Sequence, residues 1–292
     1  MRITQKLMEN MVRQSTDRAA RALADAARPI EEGTSISRPS QDPTKATRLM
    51  GLRDLDREFD RLDKSRAMVK TDLSQAEEAL GGVHDILVQA QEIGLSMAND
   101  TANPGDRAGA ARRVQGLLSQ ALGLVNRKDA SGKHLFGGTA EGAPAYAADG
   151  TYQGLLSSRL VEIGSGLSIE ASVTGPTVFG EKSEGLVSIR SLAEALEAND
   201  LGRIQTALGS LADARQIVSD GRTDIGGRLA TLDDVDELSL ALRTHVGIER
   251  GGIEGVDIAA VAPAMATAQT TLEAVLQTSK TLLAQIGRGL LG

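Results

Sequence analysis

The chain has 292 residues, a formal net charge of -7 and no cysteine. A disulfide framework, a thiolate metal site and a thiol nucleophile are excluded, and an acidic chain lacks the basic face with which nucleic-acid binders neutralise phosphates. The apolar share of 41% is ordinary, but Trp is absent and only three Phe and two Tyr occur. Ala, Leu, Val and Ile must make the core, which favours narrow helix stripes in extended bundles and coiled coils.

Near the amino terminus, Met8, Val12, Ser15, Ala19, Ala22 and Ala26 keep a 4,3 spacing, widened by Leu7, Met11 and Leu23. Residues 1–6 lead into mixed polarity with no apolar run, so no Sec-type signal peptide is expected. No stretch reaches the roughly 18 apolar residues of a membrane span.

Asp42 and Pro43 mark a helix start, because Asp can cap the first free amides and Pro suits the first helical position. A heptad stripe follows through Leu55, Phe59, Leu62, Val69, Leu73, Ala76, Leu80, Val83, Leu87, Ala90 and Met97, interrupted only by Arg66 and Gly94. A repeat of seven held this long predicts one coiled-coil helix to about residue 99, on the order of 85 Å long at 1.5 Å per residue. Gly81-Gly82 weakens it by roughly 1 kcal/mol per Gly, so packing must hold that turn or the helix bends there.

Asn103-Pro104-Gly105-Asp106 is a loop and a new helix start. The next helix, with stripe Ala111, Val114, Leu118, Ala121 and Val125, is expected to run to about Lys128 as the antiparallel neighbour of the long one. From residue 131 to about 180 the texture becomes Gly-rich. Val161 and Ile163, a Gly164-Ser165-Gly166 turn, then Leu167, Ile169, Ala171 and Val173 predict two half-buried strands.

Helical periodicity returns with Leu186, Ile189, Leu192 and Leu196. It continues through Ile204, Leu208, Leu211, Val218, Ile225, Leu229 and Leu232, and the register then drifts to Leu238 and Leu242. The carboxyl-terminal stripe, Ile258, Val261, Met265, Ala268, Leu272, Val275, Ser279, Leu282 and Ile286, mirrors the amino-terminal one. Helices this thinly apolar bury too little to stand alone, so both ends are expected to order only against other chains.

No residue set points to catalysis. His84, His134 and His245 are scattered without a ligand partner at helix spacing, no Gly-x-Ser-x-Gly elbow occurs, and Gly164-Ser165-Gly166 reads as a hairpin turn rather than a phosphate loop. The charge run from Arg53 to Lys64 reads as a solvated helix face with pairs such as Arg53 with Asp56 and Asp60 with Lys64, each contributing roughly 0.2–0.5 kcal/mol. Arg107, Arg112 and Arg113 likewise read as surface.

Several segments resemble the flagellin superfamily and, within it, the hook-associated protein 3 family. Arg38-Pro39-Ser40-Gln41-Asp42-Pro43 with Ala46 is similar to the Pro-Ser-Asp-Asp-Pro segment that opens the family's long core helix, with Gln41 in place of the commoner Asp. Leu124-Val125-Asn126, Asp129, Gly132 and His134-Leu135-Phe136-Gly137-Gly138-Thr139 resemble the end of the third helix and the approach to the outer domain. Tyr152-Gln153-Gly154, Arg159, Val161, Ile163, Gly166 and Gly175 to Phe179 resemble the compact outer domain. Ile225-Gly226-Gly227-Arg228 and Asp257-Ile258-Ala259 resemble the returning core helix and the terminal helix. The motifs follow one another in family order along nearly the whole chain.

The resemblance implies a mainly α fold: a long coiled-coil helical bundle formed by the amino- and carboxyl-terminal halves, with a small β-rich inserted outer domain. Residues 1–40 and 255–292 would form a terminal coiled coil in an inner tube, 41–135 and 182–254 a helical core domain, and 136–181 the outer domain. The implied function is structural, joining hook to filament and templating flagellin assembly, without catalysis, cofactor or metal. Implied partners are further copies in a ring, a neighbouring hook-associated protein, flagellin and a cytosolic export chaperone, with no nucleic acid and no membrane. The implied location is extracellular, in the flagellum, after type III export. The assembly interface is expected at Leu7, Met8, Met11, Val12, Val261, Met265, Ala268, Leu272, Val275, Leu282 and Ile286, and the core helix start at Pro39, Ser40, Asp42 and Pro43. A flagellin-type filament subunit is the alternative, distinguished by the Phe-Gly-Gly segment and the 152–179 pattern. A type III translocon or needle-tip protein would lack the ordered motifs at both ends. A hydrolase carried on the scaffold would need a clustered site, and residues 139–180 hold neither His nor Cys.

Overall fold

A computed structural model describes residues 2–34, 42–99, 102–129, 131–140 and 142–288. The described elements run α1 (Arg2–Glu32), α2 (Pro43–Met97), α3 (Pro104–Val125), β1 (Leu160–Gly164), β2 (Leu167–Glu170), α4 (Gly175–Phe179), α5 (Glu184–Glu197), α6 (Leu201–Glu254) and α7 (Ile258–Arg288). The fold is mainly α, with long helices and one small two-stranded antiparallel sheet. The chain divides into two compact units: Met1–Glu58 with Ala241–Gly292, and Phe59–Leu240.

In the second unit the seam of α2 buries Leu62, Val69, Leu73, Ala76, Leu80, Val83, Leu87 and Ala90, as the heptad predicts. Gly81 and Gly82 do not break the helix. Gly82 instead admits a neighbour, since a β-carbon there would lie 2.8 Å from Leu124 Cδ1. That contact near one end of α3, and hydrogen bonds from Arg107 to the Met97 and Asn99 carbonyls at 3.0 and 2.9 Å near the other, set α3 antiparallel to α2. Gly94 plays the same part for two more helices: its absent β-carbon would meet Leu208 at 2.8 Å and Leu192 at 3.1 Å. α5 packs on α3.

Capping residues set the helix starts. Asp42 Oδ1 accepts from the Lys45 amide at 3.0 Å, Asn103 Oδ1 from the Asp106 amide at 2.9 Å, and Asp200 Oδ1 from the Arg203 amide at 3.1 Å, each satisfying one free donor. β1 and β2 pair with Val161 opposite Ile169 around Gly166, whose φ of 74° suits the turn. A lone hairpin leaves two open edges. Here Arg66 donates to the Ile163 carbonyl at 2.7 Å, and Arg228 lies 3.4 Å from the Glu170 carbonyl.

Four expectations are corrected. Leu55 is exposed and lies off the seam, whose start is carried by Ala46, Leu49 and Leu52. The register of α6 does not drift: Ser239 and Val246 continue its buried face while Leu238 and Leu242 stay exposed, so the leucines mark a second face. Arg107 is only 5% exposed, because its guanidinium closes the turn after α2 and also donates to Asn199 Oδ1 at 2.7 Å. Arg53 pairs not with Asp56 but with Glu254 at 2.7 Å, and Asp56 is bound by Arg250. These cross-helix partners, with Arg48 and Glu249 at 2.5 Å, run along the first unit's portions of α2 and α6.

Candidate assembly surfaces

In the first unit α1 and α7 pack side by side. Asp257 starts α7, its Oδ1 accepting from the Ala259 amide at 3.0 Å. Along α7, Val261, Met265, Ala268, Leu272, Val275, Ser279 and Leu282 are half-buried or buried, while the residues between them are exposed through Lys280. On α1, Val12 and Ser15 are half-buried and Ala19 is buried, whereas Leu7, Met8 and Met11 are exposed. The expected stripe is therefore the less exposed face of α7, while Leu7, Met8 and Met11 stay exposed on α1. Ile286 lies within α7; Pro39 and Ser40 lie outside the described residues, while Asp42 and Pro43 start α2 as expected.

An apolar groove opens between the two helices, with Met8, Met11, Val12, Ala274, Val275 and Leu282 among its walls. Its hydroxyls are already used. Ser15 donates to the Val12 carbonyl at 2.8 Å, Thr270 to Ala266 at 2.9 Å, Thr271 to Thr267 at 2.7 Å, Thr278 to Ala274 at 2.8 Å and Ser279 to Val275 at 2.6 Å. Covering this face orphans none of those donors. α7 also carries few charges, Glu273, Lys280 and Arg288 in 31 residues, so little desolvation opposes its burial.

The approach to the outer segment is built by residues that composition alone does not single out. The Asn126 side chain brackets the Tyr146 backbone, donating to its carbonyl and accepting from its amide, both at 2.9 Å. The Asn126 carbonyl accepts from His134 Nδ1 at 2.8 Å. Asp129 Oδ1 gathers the Ser131 amide, the Ser131 hydroxyl and the Lys133 amide at 2.7–2.9 Å. Burial pushes Asp129 upward, but hydrogen bonds from Ser131, Lys133 and Gly132 outweigh it and hold the carboxyl below its ordinary range. Asp72 is shifted the other way, raised by burial and by the Asp129 charge against the pull of Arg159, which pairs with it at 3.1 Å. Phe136, Tyr146 and Phe179 close the small core, with ring centroids 5.3 and 5.7 Å from Phe179 in edge-on contact. Burial pushes the Tyr146 hydroxyl far up.

Among the described residues there is no cluster of three metal-ligating side chains, and no helix is long and apolar enough to cross a membrane.

Residues 3–141 match the bacterial flagellin N-terminal helical region. The likeness is thus to flagellins over the amino-terminal half of the chain. More particularly, the chain resembles flagellar hook-associated protein 3. It is 25% identical over 236 residues to that protein of Escherichia coli K12, covering 78% of this chain and 73% of the relative. To that of Salmonella typhimurium it is 23% identical over 274 residues, covering 85% and 86%. The fold matches a solved flagellar hook-associated protein structure from Vibrio parahaemolyticus with a TM-score of 0.68 at 23% identity, over 74% of this chain and all of the other.

Proposed function

We propose that the chain is the junction subunit that joins hook to filament, as hook-associated protein 3, and templates flagellin assembly. The observation that carries this reading is the α1 and α7 pair: a thinly apolar seam with few charges on α7, internally satisfied hydroxyls and an apolar groove still open. Two such helices bury little by themselves, and many copies packed together bury what one cannot. Residues 1–40 and 255–292 then form the inner tube, 41–135 and 182–254 the helical core, and 136–181 the outer domain. Leu7, Met8, Met11, Val12, Val261, Met265, Ala268, Leu272, Val275, Leu282 and Ile286 form the assembly interface on the terminal helices.

The partners on this reading are further copies in a ring, a neighbouring hook-associated protein, flagellin, and a cytosolic chaperone that covers the carboxyl-terminal stripe before type III export. The protein works outside the cell as an assembly part rather than an enzyme. A flagellin-type filament subunit shares the same core. The names borne by the two relatives and the Phe136-Gly137-Gly138 segment, whose last glycine takes a φ of 63°, favour the junction role.

The test is incorporation of Leu272→Asp and Ile286→Asp variants into flagella. Both are expected to leave the Phe59–Leu240 unit folded and to abolish incorporation. Normal assembly of either would overturn the assignment of the terminal stripe.

A further inference from the structure

The groove between α1 and α7 carries two of the chain's seven methionines, Met8 and Met11, which lie about one turn apart on α1. Met8 is 42% exposed and Met11 63%, so both sulfurs are open to a small solute before another chain covers them. In a chain without cysteine the thioether is the side chain most readily oxidised.

What an oxygen on these sulfurs would meet sets the site apart. The five hydroxyls of the groove, on Ser15, Thr270, Thr271, Thr278 and Ser279, each donate to a carbonyl of their own helix. A sulfoxide oxygen is an acceptor, and those hydroxyls have only lone pairs left to offer it. Among the described residues the lining holds no amide, imidazole or cationic side chain. Once the groove is covered, such an oxygen is a buried acceptor without a donor. Met50 and Met68 are exposed as well, but their surroundings differ. Met50 lines a surface with Arg53, Arg57 and Arg250, and Met68 a hollow with Lys133 and Arg159, so a sulfoxide at either position has cationic donors at hand.

We propose that Met8 and Met11 form a modification site through which peroxide controls assembly. The sulfur lone pair attacks one oxygen of hydrogen peroxide, the S–O bond forms as the O–O bond breaks, and after proton transfer the other oxygen leaves as water. The sulfur loses two electrons and the peroxide gains them. A flexible apolar side chain thereby becomes polar, and the α1 wall of the groove no longer buries well; reduction of the sulfoxide reverses the change. This rests on the reading of the α1 and α7 pair as an assembly surface.

The test adds purified full-length chain, untreated or treated with dilute hydrogen peroxide, to cells that lack it, and counts incorporation into their flagella by electron microscopy. Peptide mass spectrometry is expected to find one added oxygen on Met8 and on Met11. Incorporation is expected to fall by at least roughly tenfold, the effect of one acceptor buried unpaired, and to return after methionine sulfoxide reductases have acted on both epimers. A variant with Met8→Leu and Met11→Leu is expected to keep its own untreated level after treatment, whereas one with Met50→Leu and Met68→Leu is expected to stay as sensitive as the wild type. Absence of oxidation at Met8 and Met11, or a Met50→Leu and Met68→Leu variant that has lost its sensitivity, would overturn the proposal. Equal incorporation of treated and untreated wild type overturns it too and leaves the junction reading standing. Failure of the untreated wild type to incorporate counts against the junction reading and takes this proposal with it.

Discussion

The Arg66 guanidinium donates to the Ile163 carbonyl at 2.7 Å, tying β1 to α2 through a charged side chain that is 2% exposed. It also meets Asp236 Oδ1 at 2.5 Å and Asp63. One residue that interrupts the heptad thus joins α2, α6 and the hairpin, and Ser239 approaches the same Asp63 carboxylate at 3.3 Å.

Arg66→Ala is expected to destabilise the Phe59–Leu240 unit by about 2–4 kcal/mol, since it orphans a carbonyl and leaves a void. Asp63 and Asp236 are more than a third exposed and can rehydrate, which limits the loss. Arg66→Met restores volume and is expected to recover about half of it. Denaturant unfolding of the full chain measures both; an Arg66→Ala loss below the error of that method would contradict the node.

Gly81 and Gly94 are equal breakers in sequence and opposite in space. Gly81→Ala meets nothing closer than 3.7 Å and is expected to stabilise α2 by up to about 1 kcal/mol. Gly94→Ala drives its methyl against Leu208 and Leu192 and is expected to cost about 1–3 kcal/mol. The comparison is a pair of denaturant midpoints, and a reversed order would refute the packing.

Much of the helical frame was legible in the sequence because its signals are local: a heptad from Leu62 to Met97, helix starts at Asp42-Pro43 and Asn103-Pro104-Gly105-Asp106, and alternation around Gly166. Phase was harder where a helix carries leucines on adjacent faces. Leu55 against Leu52, and Leu238 against Ser239, both fit a repeat, and only the partner helix decides which is buried. The polar nodes were hidden for another reason. Arg66 meets Asp236 across 170 positions of chain, and Arg107 meets Asn199 across 92, distances over which residue type carries no pairing signal. On the terminal helices the 4,3 spacing recurs in the burial, from Val261 to Leu282 on α7 and at Val12, Ser15 and Ala19 on α1, while Leu7, Met8 and Met11 stay exposed.

Asn126→Ala removes both hydrogen bonds to the Tyr146 backbone and is expected to cost about 1–3 kcal/mol. The loss should be accompanied by faster amide exchange at Tyr146, while exchange in α2 far from the site stays unchanged. Unaltered protection at Tyr146 would show that other contacts hold the segment.

Asp72 and Asp129 make opposite pH predictions. Asp72 is raised by burial and by Asp129, so its charged form is disfavoured in the folded state and the penalty fades as pH falls through its folded pKa. Any stability gained by Asp72→Asn, net of the lost Arg159 pair, is expected to be larger at pH 7 than below that pKa. Asp129 is held low despite burial, so it stabilises the fold above the unfolded carboxylate range and that contribution is lost as pH falls through its folded pKa. Asp129→Asn is accordingly expected to destabilise at pH 7 and to lose its effect in acid. Unfolding curves of the two variants against the parent across pH 3–7 provide the check, and parallel profiles would contradict the assignment.

The central claim, that the chain is the hook-to-filament junction subunit, is tested most directly by electron microscopy of a deletion strain together with assay of its medium. The account predicts hooks without filaments and flagellin secreted into the medium, restored by the wild-type chain and not by Leu272→Asp. Intact filaments on the deletion strain would contradict it.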